Sequence, residues 1–188
     1  MAVREILQID DPRLFARNAL FSPEDIVSDE TAQMIGDAFD TLQDSGGYGL
    51  ALPQMGINRL GFVIGVPGGN PFGHEEIEPY AVFNPQIIVG DDEAKVPGPE
   101  SCLSFANNQI VASVLRRAEI VVVYQNIQAV RVRETLRLWH ARVFQHEYDH
   151  LAGRLFVDGE VEPHSWTTRS AFRAQRLGSA ARGVAQQG

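Results

Sequence analysis

Phe144-Gln145-His146-Glu147-Tyr148-Asp149-His150-Leu151 is the stretch from which the rest of the chain can be read. Residues four apart on a helix lie one turn apart on one face, so His146 and His150 can turn two imidazoles onto one metal ion. Glu147 follows the first of them directly, where its carboxylate can stand beside a metal-bound water. The flanking pattern is helical: Ala141, Phe144 or Gln145, Tyr148, and Leu151 or Ala152 recur from about Leu138, and Gly153 ends the run. Apolar neighbours place this helix in a core, where dry surroundings strengthen metal electrostatics and hold ligands rigid.

Two histidines do not complete a catalytic metal site, which needs a third ligand and an open position for water. The candidates by residue type are Cys102, His74, His140 and His164. His140 lies about 1.7 turns before His146 and so leaves that face of the helix. His74 and His164 fall in loop or cap compositions. Asp149 points about 100° away from its neighbour His150. Cys102 sits in an apolar, serine-flanked segment, and thiolate is a strong ligand for zinc or ferrous iron. The favoured set is Cys102, His146 and His150. With Glu147 shuttling protons, such a site can hydrolyse an amide, and the Gln54 side chain and the Leu103 backbone N–H are the candidate donors to the tetrahedral oxyanion.

Working outward, Ser28 to Asp44 reads as the first long helix, capped by Ser28 and ended by Ser45-Gly46-Gly47, with Ile35, Ala38, Phe39 and Leu42 on one apolar face. The acids Asp37, Asp40 and Asp44 read as its solvated side. Gly47-Tyr48-Gly49-Leu50-Ala51-Leu52-Pro53-Gln54 is dense in glycine and apolar residues, a segment whose backbone can approach a ligand closely. Leu60 to Val66 and Tyr80 to Val89 read as strands, the second interrupted at Asn84-Pro85 as an edge or a bend. Residues 90–98 read as an acidic turn and loop. Gln109 to Leu115 and Glu119 to Tyr124 read as strands around a turn at Arg116-Arg117, and an alternating strand follows from Val130. Arg116, Arg117, Arg131, Arg133 and Arg137 form a local basic group, either an ordinary sheet surface or an attraction for an acidic partner. A last helix is expected from Glu162-Pro163 to about Leu177. Helix, mixed strands, then helix indicates a single α+β domain over residues 1–178, with residues 179–188 as a frayed tail.

The 188 residues carry 44% hydrophobic residues, enough for a core, and a net charge of −8, which argues against a DNA binder. No apolar run reaches the roughly 18 residues of a membrane span, and the acid-bearing start lacks a signal-peptide core. The single cysteine excludes an intramolecular disulfide and fits a reducing, cytoplasmic setting.

Three motifs stand in one order: Gly47-Tyr48-Gly49-Leu50-Ala51-Leu52-Pro53-Gln54, Glu100-Ser101-Cys102-Leu103-Ser104, and Gln145-His146-Glu147-Tyr148-Asp149-His150-Leu151, followed by Gly153-Arg154-Leu155-Phe156. In these the chain resembles the peptide deformylase family over roughly residues 5 to 160. The resemblance implies mixed or antiparallel sheets packed around a central metal-binding helix, with an N-terminal and a C-terminal helix. It implies Cys102, His146 and His150 as ligands, Glu147 as acid and base, and Gln54 with the Leu103 amide as oxyanion hole. Ferrous iron is the implied native metal, with zinc or nickel able to substitute. The implied reaction removes formyl from the N-terminal formylmethionine of nascent chains. The substrate backbone would lie beside Gly47, Tyr48, Gly49 and Leu50, bordered by Ser101, and the ribosome surface near the exit is a further expected partner. The chain departs from the family at Leu52, usually Ala, at Ser101 and Leu138, usually Gly, and in the turn around Asn126 and Ala129. Leu52 and Ser101 are expected to border the substrate. A zinc endopeptidase drawing a ligand from Glu160, Glu162 or His164, and a metal-stabilised fold that binds without turnover, are the competing readings.

Overall fold

Asp29 to Ser45 is helical for reasons visible at both ends. Ser28 Oγ accepts the Thr31 N–H, Asp29 and Glu30 sit at the positive end of the dipole, and Gly46 closes the helix at φ 64°. This helix, α2, follows a single turn, α1 (Pro23–Ile26), whose cap is Ser22. The computed structural model describes residues 2–70, 73–88 and 94–176; the expected tail over 179–188 lies outside them, as do residues 90–93 of the expected acidic loop. Asp37 corrects the expectation of a solvated acidic face. It is buried, accepting from the Ala2 N–H, from the Arg4 guanidinium and from Gln33 Nε2, so it pins the N-terminal segment to α2. Those donors hold its carboxyl down at about 2.

Two antiparallel sheets follow. β1 (Gly49–Ala51), β2 (Gly61–Val66), β3 (Ile77–Ile88), β6 (Glu119–Gln125) and β7 (Arg131–Arg137) form one, in the order β1-β2-β3-β6-β7. β4 (Lys95–Glu100), β5 (Ile110–Arg117) and β8 (Thr167–Thr168) form the other, in the order β4-β5-β8. The motif helix α3 (Leu138–Leu151) packs against both. Phe62, Ile64, Ile120 and Val122 meet Ala141, Phe144 and Leu151 of α3 in one apolar cluster. Leu50, Leu52 and Val63 meet Ile35, Ala38 and Leu42 of α2 in a second, so the five-stranded sheet is layered between the two helices. The Phe62 and Phe144 rings sit edge to face at 4.9 Å, both fully buried. Truncation of such a ring to alanine costs about 3–5 kcal/mol.

Three local expectations are corrected by tertiary contacts. β3 does bend at Asn84, with φ 49° and a register shift between Phe83 and Gln86, but it lies in the middle of its sheet rather than at an edge. The bend survives there because the Asn84 side chain replaces lost ladder bonds, accepting from Phe21 N–H and donating to Phe21 O and Gln125 Oε1. β5 runs through Arg116 and Arg117 instead of turning there and does not pair with β6. On the side away from its strand partner Lys95, Arg117 is met by the side-chain amide of Gln145, which accepts its N–H and donates to its C=O. The last helix, α4, covers residues 169–176 and starts later than its composition suggests, because Thr167–Thr168 is drawn into the second sheet beside Ile110 and Val111. The basic group also disperses: Arg116 is buried and Arg137 pairs with Glu119.

Leu138 and Ala129, two departures from the family pattern, hold φ of 49° and 59°. These left-handed angles favour glycine, so both positions carry backbone strain. Leu138 is 70% exposed and has little packing to lose. Leu138→Gly should therefore stabilise the fold by about 0.5–1 kcal/mol, read as a rise of a few degrees in Tm. Asp37→Asn should lower Tm at neutral pH. Because the native Asp37 pKa lies below its unfolded value, its contribution is present above the unfolded pKa and is lost as pH falls toward about 2. The Tm gap between wild type and variant should narrow steadily below pH ~4.5; a gap independent of pH would refute the role.

Candidate metal centre

Each ligand candidate reaches the centre from a different constraint. Cys102 follows β4 in a tight turn whose Phe105 N–H closes onto the Cys102 carbonyl, and its side chain is almost fully buried. His146 and His150 stand one turn apart on α3. The sulfur and the imidazole nitrogens lie within 4.8 Å of one another, and Cys102 Sγ is 3.2 Å from His150 Nε2. Three donors at about 2.0–2.3 Å from one tetrahedral ion stand roughly 3.5 Å apart, so this set fits a single divalent ion. The other histidines do not join it. His140 Nε2 is engaged by the Tyr80 hydroxyl, His74 stacks on Trp139 at 3.6 Å, and His164 is an exposed turn residue at φ 62°. The downstream ligand that the endopeptidase reading requires is not in the group that the structure assembles among the described residues.

Around the ligands lies a buried ionic network that spacing alone did not reveal. Glu100 Oε2 accepts from His146 Nδ1 at 2.9 Å, leaving Nε2 as the nitrogen that can face an ion. The same carboxylate accepts from Arg116 Nε and Nη2 at 2.9 and 3.0 Å and from Arg142 Nη1 at 2.8 Å. Arg116 reaches on to Asp149, which also holds Arg154. Burial opposes charge on Glu100, but His146 and Arg116 outweigh it and hold its carboxyl well below the usual range. Burial likewise opposes charge on His146, and the adjacent Cys102 and Glu100 overcome it, raising its pKa. Burial drives His150 well below its ordinary value, toward the neutral form that ligates. One signal for this network was present in the sequence: Arg142 stands four residues before His146, a cation one turn from it on the same helix face.

Glu147 is 3% exposed, and burial raises its pKa to about 7, with His146 pulling the other way. Its Oε2 has no hydrogen-bond partner among the described residues, and neither has His150 Nδ1. A side chain at Gly49 would place its Cβ 2.3 Å from Glu147 Oε1, so β1 can approach only because residue 49 has none. Gln54 is carried by the short 3-10 turn Leu52–Met55. Its Oε1 accepts the Ala51 N–H, which turns Nε2 toward Ser104 Oγ at 3.1 Å and Cys102 Sγ at 3.8 Å. No protein acceptor engages the Leu103 N–H among the described residues.

A cleft opens over Glu147 and His146, lined by Gly47, Tyr48, Gly49, Gln54, Ser101 and Leu103 among others. Ser101 therefore borders it as expected. Leu50 and Leu52 do not: both side chains are fully buried against α2 in the core, and Leu52 packs onto Gly61. The lining also includes residues that the motifs did not identify: Trp139 and Arg142 of α3, His74, and Arg169 and Phe172 of α4. Phe172 and Arg169 come from the expected last helix, whose approach to the cleft no local motif signals.

Residues 3–165 match the family model described as polypeptide deformylase. A peptide deformylase of Thermotoga petrophila is 40% identical over 130 residues, which cover 69% of this chain and 72% of that protein. One from Rhizorhabdus wittichii is 35% identical over 163 residues, 84% of this chain and 86% of its own length. The solved peptide deformylase of Thermotoga maritima superposes with a TM-score of 0.72 at 34% identity, covering 85% of this chain and 99% of that one. A class I type b peptide deformylase of Acinetobacter baumannii, solved with Met-Ala-Ser bound, gives a TM-score of 0.77 at 26% identity, covering 84% and 98%. On sequence and fold together, the chain belongs to the peptide deformylase family, metal-dependent hydrolases that remove the N-formyl group from nascent polypeptides.

Proposed function

We propose that Cys102, His146 and His150 hold one divalent ion, ferrous iron in the native protein, and that the cleft above it deformylates peptides beginning with formylmethionine. The observation carrying this reading is the buried cysteine–histidine donor set beside a carboxyl group with an uncommitted oxygen. One soft and two borderline donors suit ferrous iron, zinc or nickel. The ion, when bound, supplies Lewis-acid polarisation of the formyl carbonyl and of a water. Glu147 would take a proton from the attacking water as its oxygen bonds to the formyl carbon and deliver it to the leaving amine as the C–N bond breaks; burial, which raises the Glu147 pKa, suits it to both directions of transfer. Gln54 Nε2 and the Leu103 N–H donate to the oxygen that gains charge, and Gln54 is held in place before substrate arrives by Ala51 and Ser104. Glu100 holds His146 in one ring orientation and tautomer.

The substrate backbone adds as a strand beside Gly47, Tyr48 and Gly49, since the five-stranded sheet ends at β1. Its first side chain enters the wall formed by Tyr48, Trp139 and Val143. The related Acinetobacter enzyme solved with Met-Ala-Ser supports this substrate class. A ligating thiol also favours a reducing, cytoplasmic setting, where nascent chains and the ribosome exit are at hand.

The ferrous protein, assayed anaerobically, should release formate from formyl-Met-Ala-Ser and leave its acetylated twin intact. Glu147→Gln should reduce kcat by about 10²–10⁴-fold while retaining the metal. No formate above that variant's background would overturn the assignment. Cys102→Ala should lower bound metal below one ion per chain by elemental analysis, and unchanged metal content would remove Cys102 from the ligand set.

A further inference from the structure

Arg169 is the first residue of α4 and its place is fixed from two sides. Its N–H donates to the Gln109 carbonyl at 2.8 Å, and the strand just before it pairs with β5 through Thr167 and Thr168. From there Arg169 lines the cleft over Glu147. It also lines an adjoining depression with Arg173, Gln8 and Gln109. Leu103, Asn108 and Arg169 are common to both hollows, so they form one continuous groove leading away from the metal centre.

The two arginines are four residues apart on one helix, so both guanidinium groups flank the same stretch of groove. Neither has a carboxylate partner among the described residues, although the chain as a whole carries a net charge of −8. Among the described residues, the hydrogen bond of the Arg169 guanidinium is a long one of 3.5 Å to the Ser101 hydroxyl. Burial depresses the Arg169 pKa and the charge of Arg173 depresses it further. Two like charges, one of them half-buried, facing a groove without a counter-ion are electrostatically unsatisfied, and an anion lying between them would relieve both. The substrate supplies one. A chain whose formyl group lies over Glu147 and whose first side chain enters the aromatic wall must leave past Leu103 and Asn108, which carries its later residues along the arginines.

We propose that Arg169 and Arg173 form an anion-recognition subsite for the downstream part of the substrate, selecting an acidic side chain at the third or fourth residue. The inference rests on the deformylase reading given above. The test uses C-terminally amidated formyl-Met-Ala peptides carrying Glu, Gln or Lys at the third or at the fourth position, so that no terminal carboxylate competes. Formate release gives kcat/KM for each. The wild-type enzyme should prefer Glu over Lys by about 5–10-fold at low salt at one of the two positions, with Gln between, and the preference should shrink at 0.5 M NaCl as the charges are screened. In Arg169→Gln/Arg173→Gln the Glu-to-Lys ratio should fall to about one, and in Arg169→Gln/Arg173→Glu it should invert. Because the readout is a ratio within each enzyme, a general loss of activity or stability does not move it. Formate release with no charge preference at either position in the wild type, or a preference unchanged in the double variant, would overturn the subsite while leaving the deformylase assignment intact. No formate from any of the peptides would instead count against the assignment on which the subsite rests.

Discussion

The buried carboxylate of Glu100 is the joint on which the site depends. It closes β4, receives the Arg116 side chain from β5, and receives Arg142 and His146 from α3. Three elements from distant parts of the chain are thus locked by one anion. A buried charge stripped of its partners costs several kcal/mol, so each of these elements is held in place by the cost of leaving. The same carboxylate orients the imidazole that would ligate the ion, so packing and chemistry share one contact.

Around that joint, close approach is arranged by what is missing as much as by what is present. Gly49 has no side chain, and so β1 lies directly against Glu147. Gly98 likewise accommodates the Arg142 guanidinium, where an added Cβ would come within 2.7 Å of Nη2. Gln54 reaches Cys102 because a 3-10 turn of Leu52–Met55 follows β1 at once and bends the chain back. The result is a preorganised set of donors and one acceptor under an open sheet edge, which is what an extended peptide needs to bind and to react.

Legibility in the sequence tracked locality. Helix α2 was readable to within one residue at each end because Ser28 and Gly46 act within a few positions of themselves. The helix pair His146 and His150 was readable because helical period puts them together whatever surrounds them. Asp37, Arg116 and Arg142 were misread or unread because a charged residue looks solvent-exposed until its distant partner is known: Arg4 lies 33 residues from Asp37, and Glu100 lies 42 from Arg142. The strand ends around Arg116 and Arg117 and the start of α4 were likewise decided by Gln145 and by β5, neither of which is a neighbour in sequence.

The amino-acid sequence by itself determined the helix that pairs His146 with His150, the residue types able to complete a metal-donor set with them, and, through three ordered motifs, the family. These rest on periodicity and side-chain chemistry, which need no knowledge of the fold. The tertiary structure alone decided which departures from the family pattern face the cleft. Leu52 turns into the core, Ser101 borders the cleft, and Leu138 absorbs strain at an exposed junction. It also decided that α4 brings two arginines to the groove beyond Leu103. The reason is physical: the direction a side chain faces is set by the packing of segments far apart in the chain, and one residue's identity carries no record of what folds against it.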